Sequence, residues 1–176
     1  SGEQFEDTSF GIALAALTRA KLTWRRLGKS IRVSAHLVEK NAAAFANLQA
    51  VKSLFPEVEI ATYQGSFIDH ASAILKAISP RAFTFVLIDP KGWRIDMKRI
   101  APLLHRANTE VVFNFMFDFI NRFAKTADPK LAASLDELMI GTDWRAQLDA
   151  SRPPGVTEAS WRESVLVNAF SSTHGT

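Results

Sequence analysis

The apolar run at residues 83–88 constrains the fold more than any other stretch of this sequence. Its aromatic and β-branched residues are typical of a strand that is buried on both faces within a parallel sheet. The run ends at Asp89, and the Pro-Lys-Gly that follows cannot continue a central strand. We therefore predict a buried strand that carries the Asp89 carboxylate to the carboxyl edge of a sheet, where open α/β folds bind ligands.

Helical and strand patterns alternate along the chain. A helical pattern at residues 10–27 is followed by four strand–helix units, with strands predicted at 31–38, 58–63, 83–88 and 110–115. The spacing between them is that of parallel crossover units. The expected fold is therefore α/β, with a doubly wound (Rossmann-like), mostly parallel sheet and helices on both faces. Because such a fold normally begins with a strand, we expect its first strand to lie upstream.

The pattern changes near residue 128. Helical patterns at residues 130–138 and 145–150 lead to a Pro-Pro-Gly linker, and the run VLVNAF at 165–170 predicts one more strand. We therefore expect a partial Rossmann-like core at residues 1–127, and a helical extension, a linker and a last strand of the same domain at residues 128–176.

Composition excludes several classes of site and protein. The 176 residues include no cysteine, which excludes disulfides, thiolate zinc sites and a cysteine nucleophile. The four histidines lack metal-ligand spacing, so we expect no metal site. No run approaches the roughly 20 apolar residues of a membrane span, and we expect a cytoplasmic protein without a membrane partner. The net charge of +3 is too small to indicate nucleic-acid binding alone.

Polar residues follow the predicted strands at the points where each strand ends. Each has a simple structural interpretation, as a helix cap, a turn opener or a backbone hydrogen-bond partner. A doubly wound sheet would instead bring them into one crevice. The strand at 31–38 would be the second of the sheet if the first lies upstream. A carboxylate at its end is suited to accept hydrogen bonds from ribose hydroxyls, and a glycine turn after the next strand allows close approach of an adenine. The residues are Glu39, Gln64 with Gly65 and Ser66, Asp89, and Asn114.

Short motifs in a specific order give the chain a family resemblance. They are the stretch from Gly2 to Gly11, IDPKGW at 88–93, EVVFNF at 110–115, Arg122, and GTDWR at 141–145. With the strand-end residues, they resemble the class I S-adenosylmethionine-dependent methyltransferases, and more narrowly the three-Cys-motif partner proteins. Members of that family look like methyltransferase-fold proteins encoded beside a radical-type three-cysteine protein.

The resemblance implies an S-adenosylmethionine cofactor and roles for individual residues. Cofactor binding would fall to Gly2, as the last residue of a glycine-rich turn, and to Glu39, Gly65, Ser66, Phe67 and Asp89. Asp89, Pro90, Lys91 and Trp93 would face the methyl acceptor, which the resemblance does not identify. The motif from Asp89 departs from the Asp-Pro-Pro-aromatic motif of amino-methylating nucleic-acid enzymes, because Trp93 comes one residue late.

Three other functions stay open at this point. The chain is also consistent with a non-catalytic partner or scaffold of a three-cysteine protein, since a fold does not confer an activity. A nucleic-acid-binding module on the same fold is a second alternative, and basic residues near Trp24 are compatible with it. A nicotinamide-dependent oxidoreductase would also use an acid after the second strand, but it requires a GxGxxG turn upstream.

Overall fold

The computed structural model describes residues 5, 7–89, 96–114, 116–139 and 141–174. The chain divides into two compact units, Ser1–Ala77 and Ile78–Thr176. Each unit contains one pair of parallel strands with helices, so the expected α/β class is confirmed. The predicted boundary after residue 127 marks the end of the expected methyltransferase core and is a different kind of boundary from this one. It stays a prediction.

The described residues of the first unit form two strands and four helices, and the strands pair in parallel from Ser34↔Glu59 to Glu39↔Gln64. Its elements are α1 (Ser9–Arg26), β1 (Ser34–Glu39), α2 (Ala42–Gln49), α3 (Val51–Leu54), β2 (Glu59–Gln64) and α4 (Phe67–Ala77).

Local side chains define where the helices of this unit begin. Thr8 caps α1 by accepting a hydrogen bond from the Gly11 amide. Asn41 caps α2, as its position predicts, because its Oδ1 accepts from the Ala44 amide at 3.0 Å. A buried cluster forms the core of this unit, and it consists of Leu14, Leu48, Val51 and Val58.

The second unit also contains two parallel strands, which pair from Thr84↔Thr109 to Ile88↔Phe113. Its elements are β3 (Thr84–Ile88), α5 (Met97–Leu104), β4 (Thr109–Phe113), α6 (Phe117–Phe123), α7 (Pro129–Leu138), α8 (Trp144–Asp149) and α9 (Glu158–His174).

The strand predicted from the apolar run is present as β3, but only one of its faces is buried. Val86 and Ile88 are buried, whereas Phe83, Phe85 and Leu87 are between 42% and 64% exposed. Successive side chains of a strand point to opposite faces, so one whole face of β3 lies open. The expected burial on both faces is therefore wrong for the structure described here, since no packed layer covers that face.

Where the chain is described, its four strands form two two-stranded sheets. Within each sheet the strands are parallel and are joined through helices, as the spacing predicts. A single doubly wound sheet stays a prediction. None of the helices in the described ranges is long and apolar enough to cross a membrane.

The prediction of a last strand at residues 165–170 is wrong, because this run lies inside α9. Val165, Leu166 and Ala169 are buried while Val167 is exposed. Buried positions separated by three and four residues are helical spacing, and a strand would have alternated. Short apolar runs fit both patterns, and here packing of one helical face decides between them.

Candidate functional site

Glu39 and the turn after β2 lie side by side at the carboxyl end of the first sheet. The Gly65 amide donates a hydrogen bond to the Glu39 carbonyl oxygen at 2.9 Å. The Glu39 carboxylate accepts from the Asn41 amide through Oε1 at 2.6 Å. Within the described residues no hydrogen bond involves Oε2 of Glu39. The carboxylate is thus held in place through one oxygen.

The turn at Gly65 requires glycine for two reasons. Its φ of +137° lies in the left-handed region, which side chains other than hydrogen rarely adopt. In addition, a Cβ atom there would lie 2.9 Å from Nε2 of His70. That nitrogen donates to the Gln64 carbonyl oxygen at 2.9 Å, because a carbonyl only accepts. The ring of His70 therefore braces the turn, and Ser66 and Phe67 follow directly at the amino end of α4.

Three flat rings cluster on the sheet face that carries His36 and Tyr63. His36 Nδ1 lies 3.0 Å from the Tyr63 hydroxyl, and the two rings stack with centroids 5.9 Å apart. The ring of His70 lies 5.3 Å from that of Tyr63. Burial lowers the pKa of His36 because it disfavours the charged imidazolium. The cluster depends on strand register and on the placement of α4, which no local sequence signal reveals.

The lowered pKa of His36 gives an expected pH dependence of stability. The folded state favours the neutral ring, so its stabilising contribution is complete above the unfolded pKa near 6.5 and is lost as pH falls. We expect His36→Gln to flatten the decline of the unfolding free energy between pH 7 and pH 5, by at most about 1.4 kcal/mol per pH unit. Urea denaturation across this range measures the effect. The exposed His105→Gln is the control, and an equal flattening there would contradict the assignment.

Asp89 and Asn114 meet at the carboxyl end of the second sheet. The Asn114 side-chain amide donates to Asp89 Oδ1 at 2.6 Å, and its backbone amide donates to the Ile88 carbonyl at 2.8 Å. Both side chains are exposed. The sequence rule that parallel strand ends share an edge therefore holds for this pair. The amide fixes one carboxylate oxygen and orients the group at the rim of the sheet.

The predicted site residues fall into two groups, one in each unit. Glu39, Gly65, Ser66 and Phe67 belong to the first unit and Asp89 to the second. The remaining predicted residues, Gly2, Pro90, Lys91 and Trp93, lie outside the described residues. Among all the residues that the structure describes, no three His, Cys, Asp or Glu side chains form a group able to hold a metal ion.

The GTDWR motif has a structural role that sequence reasoning missed. Arg145 donates to Asp136 Oδ1 at 3.0 Å, to the Ala124 carbonyl at 2.7 Å and to the Ala132 carbonyl at 3.3 Å. The Trp144 indole donates to the same Asp136 oxygen at 3.1 Å, and the guanidinium lies 4.2 Å from the centre of its ring. We call this group the Arg145 clasp. It ties α8 to α7 and to the end of α6.

A cavity of about 330 Å³ lies beside the clasp, away from the strand ends of the second unit. Across it Lys125 forms an ion pair with Asp149 at 2.9 Å. Both cations of the cavity, Lys125 and Arg145, are thus paired with acids, and its lining favours no particular class of ligand. The lining residues are Ala124, Lys125, Thr126, Arg145, Leu148 and Asp149.

Comparison with known proteins gives no match to a family model, a curated protein or a solved structure. The function of the site is therefore argued from its residues.

Proposed function

We propose that this protein binds S-adenosylmethionine and acts as a methyltransferase of the Rossmann-like class. The observation that carries the proposal is the juxtaposition of Glu39 with the Gly65 turn, joined by a 2.9 Å backbone hydrogen bond. An acid and a glycine turn on adjacent parallel strand ends are the features that a ribose and an adenine require. The free oxygen of the Glu39 carboxylate is available to a ribose hydroxyl.

The strand pairing supports the same fold class. In a doubly wound sheet with the order 3-2-1-4-5, strands two and three are neighbours, and so are strands four and five. The observed pairs β1–β2 and β3–β4 match those two neighbouring pairs in chain order.

Asp89 is the candidate for handling the methyl acceptor. S-adenosylmethionine, when bound, supplies an electrophilic methyl group on a sulfonium. The Asp89 carboxylate, oriented by Asn114 at 2.6 Å, is suited to accept a hydrogen bond or a proton from an acceptor N–H or O–H group. Most of the rate would come from holding that nucleophile in line with the methyl carbon.

Calorimetric titration of S-adenosylmethionine into the full-length protein tests the proposal. We expect Glu39→Ala to weaken binding by about 10- to 150-fold, because it removes a hydrogen bond to a charged group. Glu59→Ala is the matched control, since Glu59 lies at the opposite end of the first sheet and pairs with Arg32 at 2.6 Å. Absence of both heat and thermal shift in the folded protein would overturn the proposal, as would equal losses in the two variants.

A second candidate function is that of a binding partner for a three-cysteine-motif protein. It is favoured by the open apolar face of the second sheet, where Phe83, Phe85, Leu87 and Val112 are exposed. Parallel sheets are normally covered on both faces. Co-purification with the three-cysteine protein, lost in Phe85→Ser but kept when Glu39 is changed, would support this function over catalysis.

A further inference from the structure

The first unit carries an unusual concentration of positive charge. Residues 8–38 contain six Lys or Arg residues and no Asp or Glu, whereas the whole chain has a net charge of only +3. The six are Arg19, Lys21, Arg25, Arg26, Lys29 and Arg32. All lie on the second half of α1 or on the segment that leads to β1. A field of one sign this dense attracts polyanions.

Two acids neutralise part of this charge. Glu57 pairs with Lys21 at 3.5 Å and with Arg25 at 3.1 Å. Glu59 pairs with Arg32. The head groups of Arg19, Arg26 and Lys29 have no ion-pair partner in the described part of the chain. Of these three, Arg26 and Lys29 lie at the carboxyl-terminal end of α1.

An exposed indole lies within this charged region. Trp24 is 40% exposed and Leu27, at the helix end, is 66% exposed. The Lys29 ammonium lies 4.8 Å from the centre of the Trp24 ring. We call Trp24, Arg26, Leu27 and Lys29 the basic helix end.

The backbone fixes the geometry of the basic helix end. The Lys29 amide donates to the Trp24 carbonyl at 3.0 Å, and the Gly28 amide donates to the Arg25 carbonyl at 3.0 Å. With Gly28 at a φ of +72°, these two bonds form a Schellman motif. The motif turns the chain back so that Lys29 is held against the indole. The aromatic ring and its cations are thus ordered before any ligand binds.

We propose that the basic helix end binds single-stranded nucleic acid, with one base stacked on Trp24 and backbone phosphates at Arg26 and Lys29. An ordered aromatic platform flanked by cations is the arrangement that binds single strands without reading their sequence. The inference does not depend on the proposed methyltransferase function, because Glu39 is not part of this surface.

Other anionic partners fit the surface less well. An acidic peptide would use the cations but has no need of the exposed indole. A membrane surface would need the apolar face of α1 for insertion. That face is already occupied, because Leu14 is buried and Leu17 packs against the core of the first unit. A single nucleic-acid strand uses both features, because a base stacks on the ring and the phosphates contact the cations.

Fluorescence anisotropy with labelled 12-nucleotide oligo-dT and oligo-U, at 50 and 200 mM salt, tests the proposal. We expect Trp24→Ala to weaken binding by about 5- to 150-fold and Trp24→Phe to retain most of the affinity. Arg26→Gln and Lys29→Gln should each reduce the slope of log affinity against log salt by about 0.7. Comparing the two oligonucleotides shows whether DNA or RNA is preferred.

Lys52→Gln is the matched control, because it removes one exposed positive charge from α3 of the same unit. We expect it to leave both affinity and salt slope unchanged. The proposal would be overturned if heparin bound as tightly as the oligonucleotides and if all Trp24 variants bound the oligonucleotides equally well. The surface would then attract any polyanion through charge alone. The proposal would also be overturned by binding to phosphatidylserine vesicles without oligonucleotide binding, or by no anisotropy change at 50 mM salt in a protein whose melting curve shows it folded.

Discussion

Replacing Leu166 with alanine is expected to lower the free energy of unfolding by about 2–5 kcal/mol. Leu166 is fully buried in α9, so truncation removes apolar contacts and leaves a cavity in the second unit. Urea denaturation followed by circular dichroism measures the change. Val167→Ala, at a neighbouring position that is 39% exposed, is expected to cost less than about 1 kcal/mol.

Adding Val165→Ala to these two variants tests the helical assignment of residues 165–170. In a strand, Val165 and Val167 would share a face, and their alanine variants would behave alike. In α9, Val165 is buried and Val167 is not. Equal effects at 165 and 167, with a small effect at 166, would contradict the helix.

The second large effect is expected at the Arg145 clasp. Arg145→Met keeps the apolar stem but removes the hydrogen bonds to Asp136, Ala124 and Ala132. Because hydrogen bonds to charged groups are stronger than neutral ones and Asp136 would lose its cation, we expect a loss of about 2–3 kcal/mol. Thermal and urea unfolding measure it.

Two further variants make this prediction specific. Arg145→Lys keeps the charge but not the planar fork, so it should recover only part of the loss. Lys125→Met removes an exposed ion pair with Asp149 at 2.9 Å and should cost less than about 1 kcal/mol. Comparable losses for Lys125→Met and Arg145→Met would mean that general electrostatics, and not the clasp, determines stability.

Local signals in the sequence predicted most of the elements of this chain. The helical pattern at residues 10–27 predicted α1, observed at Ser9–Arg26, to within one residue at each end. The apolar run at residues 83–88 predicted a strand that stops before Asp89, and β3 ends at Ile88. These predictions hold because capping, φ restriction and periodicity act over a few residues. The run at 165–170 failed because six apolar-rich residues satisfy both periods, and the choice depends on what packs against them.

The candidate site was predictable to the extent that it follows from parallel strand ends. Glu39 lies beside the Gly65 turn and Asp89 lies beside Asn114, while the single crevice that we predicted for all of these residues stays a prediction. The bracing of the turn by His70 was not predictable, because it needs the register of β1 and β2 and the position of α4. A single sheet made of both strand pairs stays a prediction, because periodicity carries no information on long-range strand pairing.

The open face of the second sheet also bears on how two copies of this chain would interact. Exposed aromatic and branched side chains on a strand favour association with another copy of the chain. In the register of the sheet, Glu110 lies beside Phe85 on that face, and both are exposed. A carboxylate at this position interrupts the apolar surface and would repel the same carboxylate of an identical molecule. A charge placed on an exposed strand in this way is one of the devices by which natural sequences limit association between identical chains.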